Sequence, residues 1–125
     1  MNSKRHLLVS TIVYCVVGCL SLPAAAQTYP TKPIRLVVPF GAGGVADLTA
    51  RTVAQKMAEG LGQSVVIDNK PGAGGVVAGD AVAKAAPDGY TLLLMSNGTA
   101  VSAGLFKSLP FDTAKDFAPV STLGF

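Results

Sequence analysis

The sequence has little of the side-chain chemistry on which catalysis and metal binding usually depend. It contains two cysteines, Cys15 and Cys19, and one histidine, His6, and all three lie in the first 26 residues. Residues 27–125 therefore have no thiol nucleophile, no serine-histidine-aspartate triad and no cysteine or histidine ligands for a metal. No pair of carboxylates has a spacing typical of general acid and base catalysis. We expect a binding protein with no catalytic residues, cofactor or metal.

The first 26 residues have the pattern of a secretory signal peptide. A short basic head is followed by the apolar segment 7–22 and by three alanines at 24–26, where a signal peptidase reads small residues. The apolar segment is shorter than the roughly 20 residues that cross a bilayer. We expect export to the periplasm with cleavage after Ala26, which the alanine site favours over lipidation at Cys19.

Neither sign of charge predominates once that segment is removed. Without Lys4 and Arg5, eight basic residues remain against seven acidic ones. This balance argues against a nucleic-acid surface or a polybasic membrane patch, so local geometry would have to hold any charged ligand. The lack of cysteine after residue 26 also means that packing, rather than disulfide bonds, must hold the exported chain together.

The exported part alternates between strand and helix patterns. Ile34–Phe40, Ser64–Asp68 and Tyr90–Ser96 are short apolar runs typical of buried strands. Between them, apolar residues recur at helical spacing from Ala46 to Leu61 and again from about Val76 to Ala85. This alternation predicts an α/β fold with a mostly parallel sheet and flanking helices.

The element ends and the C-terminal third give further expectations. Gly60 and Gly62 should end the first helix. Residues 97–99 have the composition of a loop, followed by one or two helical turns over Val101–Phe106. The apolar run Pro119–Phe125 is similar to the start of a strand, which suggests that the sequence is a fragment.

The glycine-rich turn GAGG occurs twice, at Gly41–Gly44 and Gly72–Gly75. In a parallel sheet both turns emerge at the carboxyl ends of the strands, where glycine lets a ligand approach the backbone and helix N-termini present free amides. Two such anion-binding turns side by side suit a ligand with two carboxylates, or one carboxylate together with ordered water, and Thr99 and Ser102 could add hydroxyl contacts. For either turn alone, a tight strand-to-helix connection explains the glycines equally well. Asp47 fits a helix cap better than a ligand contact.

A dinucleotide site is the main alternative. Gly41, Gly43 and Ala46 match G-x-G-x-x-[G/A] between a strand and a helix, and Asp68 ends the next strand about 20 residues later. Three features count against a Rossmann-type enzyme domain. They are the predicted export, the proline at position 39 just before the turn, and the second GAGG, which has no role in that fingerprint.

A family resemblance rests on three segments in order: YPTKPIRLVVPFGAGGVADLTAR, VVIDNKPGAGGVVAGDAVAKAAPDGYTLL and LFKSLPFDTAKDFAPVS. They resemble the Bug family, the periplasmic solute-binding receptors of tripartite tricarboxylate transporters in Gram-negative bacteria, and the resemblance covers essentially all of residues 29–125. The resemblance implies the N-terminal lobe of a type II periplasmic binding protein, acting as a monomer. Its implied partners are the membrane subunits of the transporter and a small carboxylate, such as a di- or tricarboxylate, an amino acid or an aromatic acid.

The resemblance also implies where the carboxylate binds. Receptors of this family hold it through backbone amides, hydroxyls and bridging waters of three loops in the first lobe. The matching positions are Gly41, Gly43, Gly44 and Asp47 in the first turn, Gly72, Gly74 and Gly75 in the second, and Ser96, Asn97 and Thr99 in the third. Relatives often have a histidine and an asparagine-proline pair in the third loop. Thr99, Ser102 and Ala103 stand there in this chain, so the resemblance does not identify the solute.

The resemblance implies a division of the chain as well. Residues 1–26 would be the signal peptide and residues 27–125 the N-terminal lobe, truncated before a second lobe. Because half a cleft cannot enclose a ligand, we expect the chain by itself to bind a carboxylate very weakly or not at all.

Overall fold

The computed structural model describes residues 28–106 and 108–124. The predicted signal peptide, its cleavage after Ala26 and the alternative lipidation at Cys19 fall outside the described residues. Within the described ranges, no helix is both long enough and apolar enough to span a membrane.

Strands and helices alternate along the described residues. In order they are β1 (Ile34–Val38), α1 (Val45–Leu61), β2 (Val65–Asn69), a 3-10 turn (Ala73–Gly75), α2 (Val76–Ala83), β3 (Thr91–Leu93) and α3 (Asn97–Leu105). The strands form a parallel sheet in which β1 lies between β2 and β3. The predicted α/β fold with a parallel sheet and flanking helices is confirmed.

Two strands end earlier than predicted. β1 stops at Val38 instead of Phe40, because Pro39 has no amide hydrogen to donate to a neighbouring strand. β3 stops at Leu93 instead of Ser96. The amide of Leu94 still donates to the carbonyl of Val37 (2.9 Å), but β1 itself ends one residue later and offers no further partners.

The main core lies between the sheet and α1. Leu36 and Val38 of β1 meet Ala50 of α1, because alternate residues of a strand face the same side. The half-buried residues packed around these three are Val65, Ile67, Leu92 and Leu94. Gly62 ends α1 as predicted: its φ is 67° and its amide donates to the carbonyl of Ala58 (3.0 Å), whereas Gly60 lies within the helix.

α2 packs against β1 and β3 and anchors the C-terminal segment. Val37 is fully buried although it is one residue out of phase with Leu36 and Val38, so the second face of the sheet is covered as well. The ring of Phe111 lies on Gly79 of α2, where an added Cβ would come within 2.5 Å of the ring atom Cζ. The missing side chain at Gly79 therefore makes room for the segment that follows α3.

Two predictions for the C-terminal third are wrong. Residues 97–99 form the first turn of α3 instead of a loop, because Ser96 is an N-cap whose Oγ accepts a hydrogen bond from the Thr99 amide (3.3 Å). The run predicted as a strand has no regular secondary structure over residues 119–124. Val120 is 82% exposed, so this run has no packed face on which a strand could form.

Candidate functional site

The segments predicted to bind a carboxylate leave the sheet at one edge. Residues 41–44 follow β1, residues 72–75 follow β2, and residues 96–99 follow β3. Parallel pairing places these strand ends side by side. The chain leaves β1 for β2 on one side, whereas β3 lies on the other, which creates the switch point where open α/β sheets bind ligands. We call the three segments together the carboxyl rim.

The first turn exposes backbone amides around Gly43. Its φ of 85° is one that residues with a Cβ rarely adopt. The Gly43 amide donates to Oδ2 of Asp47 (2.8 Å), so this amide already has an internal carboxylate partner. The first helical hydrogen bond of α1 runs from the Leu48 amide to the Gly44 carbonyl (2.9 Å). The amides of residues 44–47 precede this bond and lack a partner within the helix.

The buried carboxylate of Asp47 fixes the shape of the first turn. The residue is 2% exposed; its Oδ2 also accepts from Nε of Arg51 (2.8 Å), and its Oδ1 accepts from Nδ2 of Asn69 (2.9 Å). The hydrogen bonds from Arg51, Gly43 and Asn69 hold the pKa of Asp47 well below its usual range. The N-cap itself is Gly44, so Asp47 acts on the turn from inside α1 instead of from the predicted cap position.

Asn69 links the first turn to the end of β2. Its Nδ2 donates both to Asp47 and to the carbonyl of Phe40 (3.0 Å), the residue just before the turn. Sequence reasoning missed Asn69 and Arg51. The spacing of Asp47 and Arg51 by four residues on a helix is a usable signal for an ion pair. No local pattern marks Asn69, because its partners are 22 and 29 residues away in the sequence.

The second turn is a run of four residues with positive φ: Gly72 (135°), Ala73 (45°), Gly74 (64°) and Gly75 (96°). Three of them are glycine, as this backbone conformation favours, while Ala73 adopts it with a Cβ. The Gly75 amide donates to the Gly72 carbonyl (2.9 Å) and closes the turn. The amides of the middle residues, Ala73 and Gly74, lie at its tip.

The second turn packs directly on the third segment of the rim. A Cβ at Gly75 would overlap Oγ1 of Thr99 and come within 3.4 Å of the Pro39 side chain. A Cβ at Gly98 would lie 3.3 Å from the carbonyl oxygen of Gly74. The structure therefore brings the second and third segments into contact, and Pro39 connects them to the end of β1.

The hydroxyls of the third segment are used internally. Thr99 is fully buried, and its Oγ1 lies 3.2 Å from Oγ of Ser96. Ser102 is also buried and donates to the Thr99 carbonyl (2.6 Å). Thr99 and Ser102 therefore hold α3 in place, and neither points into solvent. Asn97 is exposed at the rim, and Ser96 is half-buried beside it.

The described cations are paired with carboxylates. Each described lysine and arginine has a carboxylate oxygen at 2.5 to 3.6 Å. At the rim, Arg51 pairs with Asp47, and Lys70 lies 3.6 Å from Asp68. Among the described residues, no group of three or more histidine, cysteine or acidic residues could hold a metal. An anion at the rim would therefore meet backbone dipoles instead of unpaired cationic side chains.

Asp68, the acid that a dinucleotide site would need, is engaged elsewhere. Nε of Arg35 donates to its Oδ2 (2.8 Å). Asp68 pairs in register with Val37, whereas the residues that face α1 from β1 are Leu36 and Val38. Its side chain therefore lies on the sheet face opposite α1 and the first turn. The geometry does not supply the ribose contact of a dinucleotide fingerprint.

Comparison with known proteins gives a family match. Residues 49–124 match the family model of the tripartite tricarboxylate transporter family receptor, TctC. Protein BugT of Bordetella pertussis is 44% identical over 126 residues, which cover 99% of this chain and 38% of BugT. A UPF0065 protein of the same organism is 56% identical over 102 residues, 79% of this chain and 32% of that protein. The chain spans about a third of the length of these relatives.

Solved structures show the same architecture. MatC from Rhodopseudomonas palustris, with bound malate, is 44% identical with a TM-score of 0.72 over 76% of this chain and 33% of MatC. Rpa4515 of R. palustris, with adipate, is 36% identical with a TM-score of 0.59 over 69% of this chain and 29% of that one. The periplasmic binding protein BugD is 52% identical with a TM-score of 0.52 over 54% of this chain and 22% of BugD.

Proposed function

The chain belongs to the tripartite tricarboxylate transporter receptor family, and we propose that it forms the N-terminal lobe of a periplasmic receptor that captures a small carboxylate. The observation that carries the proposal is the carboxyl rim. Two GAGG turns and the start of α3 adjoin at the ends of parallel strands, and the exposed residues Gly44 and Val45 have amides without a partner in α1. Oriented backbone amides of this kind bind anions without a cationic side chain.

Within the rim, the predicted site residues divide into two roles. The proposed ligand contacts are the amides of Gly44, Gly72 and Gly74 and the side chain of Asn97, with the exposed backbone at Gly41. The proposed supporting residues are Gly43, Asp47, Gly75, Ser96 and Thr99, because their polar groups or close packing are used inside the lobe. A ligand oxygen would therefore meet mainly backbone groups.

A dicarboxylate is the ligand class that we propose. Malate and adipate, the acids bound in MatC and Rpa4515, each carry two carboxylates separated by a short chain. Two adjacent amide-rich turns could hold both oxygens of one carboxylate, while the rest of the receptor holds the other. The membrane subunits of a tripartite transporter are the proposed partner, and the periplasm is the proposed location.

Nuclear magnetic resonance can test this proposal residue by residue. The chain is expressed with its native N-terminus, purified from the periplasm and titrated with malate and with adipate, using adipamide as the uncharged control. We expect weak, saturable shifts of the Gly44, Gly74 and Asn97 amides with the acids only. Shifts away from the rim, or equal shifts with adipamide, would contradict the proposal.

Affinity is tested in a second protein. MatC in which residues 28–124 of this chain replace the matching segment should bind one of the two acids far more tightly than the chain alone, because a closed cleft buries the ligand. A folded exchange protein that binds neither acid would contradict the proposed ligand class.

A further inference from the structure

We propose that Asn69 is a positioning residue that sets the first glycine turn relative to the second without touching the ligand. This inference rests on the proposed function of the carboxyl rim. Its basis is a single side-chain amide that bonds two points of the first turn from the strand that leads into the second.

The first turn is held at its start and at its middle. One hydrogen of Asn69 Nδ2 is donated to the carbonyl of Phe40 (3.0 Å), which directly precedes Gly41. The other is donated to Oδ1 of Asp47 (2.9 Å), whose Oδ2 accepts the Gly43 amide (2.8 Å). Asn69 is therefore hydrogen-bonded directly to the start of the turn, and it is connected to the middle of the turn through the carboxylate of Asp47.

The second turn is fixed from the same residue. Asn69 is the last residue of β2 and pairs with Val38 of β1, and the next amide, that of Lys70, donates to the Val38 carbonyl (2.8 Å). Gly72 begins the second turn three residues after Asn69. A displacement of the Asn69 backbone would thus move the start of the second turn, and the hydrogen bonds of the Asn69 side chain would transmit that movement to the first turn.

Asparagine is well suited to this position because its neutral amide donates two hydrogen bonds. Aspartate would place a second carboxylate against Asp47 and would offer no donor to Phe40. Alanine would leave both acceptors without this donor, and an acceptor deprived of its partner is costly when it is partly buried. Exchange of the two side chains, Asp47→Asn with Asn69→Asp, restores one amide-carboxylate bond in the opposite direction.

The experiment compares Asn69→Ala, Asn69→Asp and the exchange variant with two controls, each as the full chain purified from the periplasm. Asp88→Asn makes an aspartate-to-asparagine change in a residue that pairs with Lys32 at the amino ends of the strands, the edge of the sheet opposite the rim. Gly62→Ala lowers stability at the opposite end of α1 from the first turn, because Gly62 has a φ of 67°. Amide spectra of the free proteins report the turns, and the initial slope of shift against adipate concentration reports affinity.

We expect Asn69→Ala to move the amide signals of both Gly43 and Gly74 and to lower the slope about tenfold, because two hydrogen bonds are lost, one of them to a charged group. The controls should leave both quantities near wild type, and the exchange variant should recover part of the slope that Asn69→Asp loses. The inference is wrong if Asn69→Ala changes the first turn alone, or if Gly62→Ala lowers the slope equally.

Two further outcomes are decisive. If Asn69→Ala does not fold, the exchange variant must restore both turn signals relative to Asn69→Asp, and failure to do so overturns the inference. If neither the wild-type chain nor the MatC exchange protein responds to adipate or malate, the proposed function fails, whereas the effect of Asn69 on the two turns is still judged from the free spectra.

Discussion

At the scale of single residues, Asp47 supplies an internal anion to a turn that otherwise resembles an anion site. Its Oδ2 accepts hydrogen bonds from the Gly43 amide and from Arg51, which balances the charge, and its Oδ1 accepts one from Asn69. A ligand is thereby restricted to the amides that precede the first helical bond of α1. The carboxylate therefore shapes the turn and also limits which of its amides can bind.

Asp47 should also contribute to acid sensitivity. The hydrogen bonds from Arg51, Gly43 and Asn69 lower its pKa in the folded chain below the unfolded value of about 3.9. Its contribution to the free energy of unfolding is therefore fully present above about pH 4 and is lost as pH falls toward the folded pKa. Asp47→Asn should lower stability at pH 7 and flatten the loss of stability below about pH 4.

Urea unfolding at a series of pH values measures both effects. The matched control is Glu59→Gln, which removes an exposed carboxylate that pairs with Lys56 on the surface of α1. That change should alter stability by less than about 0.5 kcal/mol. An Asp47→Asn chain with the same stability as Glu59→Gln at pH 7, or with an unchanged acid slope, would show that the network is unimportant.

Three glycines of the rim should respond to alanine in a graded way. Gly41 has open space and no positive φ, so Gly41→Ala should change stability by less than about 0.5 kcal/mol. Gly43 has open space but a φ of 85°, and Gly43→Ala should cost about 1 kcal/mol. Gly75 combines a φ of 96° with overlap on Thr99, so Gly75→Ala should cost more than about 2 kcal/mol. Urea midpoints in any other order would contradict these backbone assignments.

At the scale of elements, the contact between α2 and the C-terminal segment predicts that a glycine-to-alanine change inside a helix lowers stability instead of raising it. Alanine is favoured over glycine inside a helix by about 1 kcal/mol. Gly79→Ala should nevertheless destabilise the protein by about 1 to 3 kcal/mol, because the new Cβ meets the ring of Phe111. In the Phe111→Ala background the same change should become neutral or stabilising.

A double-mutant cycle in urea provides the measurement for this contact. The expected coupling between the two positions is about 2 kcal/mol or more. Phe117→Ala, which removes the edge-to-face partner of Phe111 at 5.4 Å, serves as the control background and should preserve the destabilising sign of Gly79→Ala. Additive effects at positions 79 and 111 would contradict the packing of this segment on α2.

The sequence predicted the elements that depend on a local pattern of residues. Apolar runs and helical spacing predicted β1, β2 and α1, and Gly62 ends α1 as expected, because these signals depend on neighbouring residues alone. The start of α3 was missed although Ser96 stands three residues before Thr99, the spacing of an N-cap bond. The link from Asn69 to Phe40 and Asp47 could not be predicted, because only the parallel pairing of β1 and β2 brings these residues together.

At the scale of the whole molecule, the pairing of charges predicts how ligand binding should depend on salt. The described lysines and arginines all have carboxylate partners, and the rim offers backbone amides. Dipoles at close range are screened less than separated charges, for which the Debye length falls from about 30 Å at 0.01 M to about 3 Å at 1 M ionic strength. The affinity for adipate should therefore change less than about threefold over this range.

The matched control is Ala42→Lys, which adds a cation at an exposed position of the first turn. This variant should bind adipate more tightly at low salt, and its affinity should depend clearly on salt. If the affinity of the wild-type chain depends on salt as strongly as that of the variant, an ionic side chain, and not the backbone, holds the ligand.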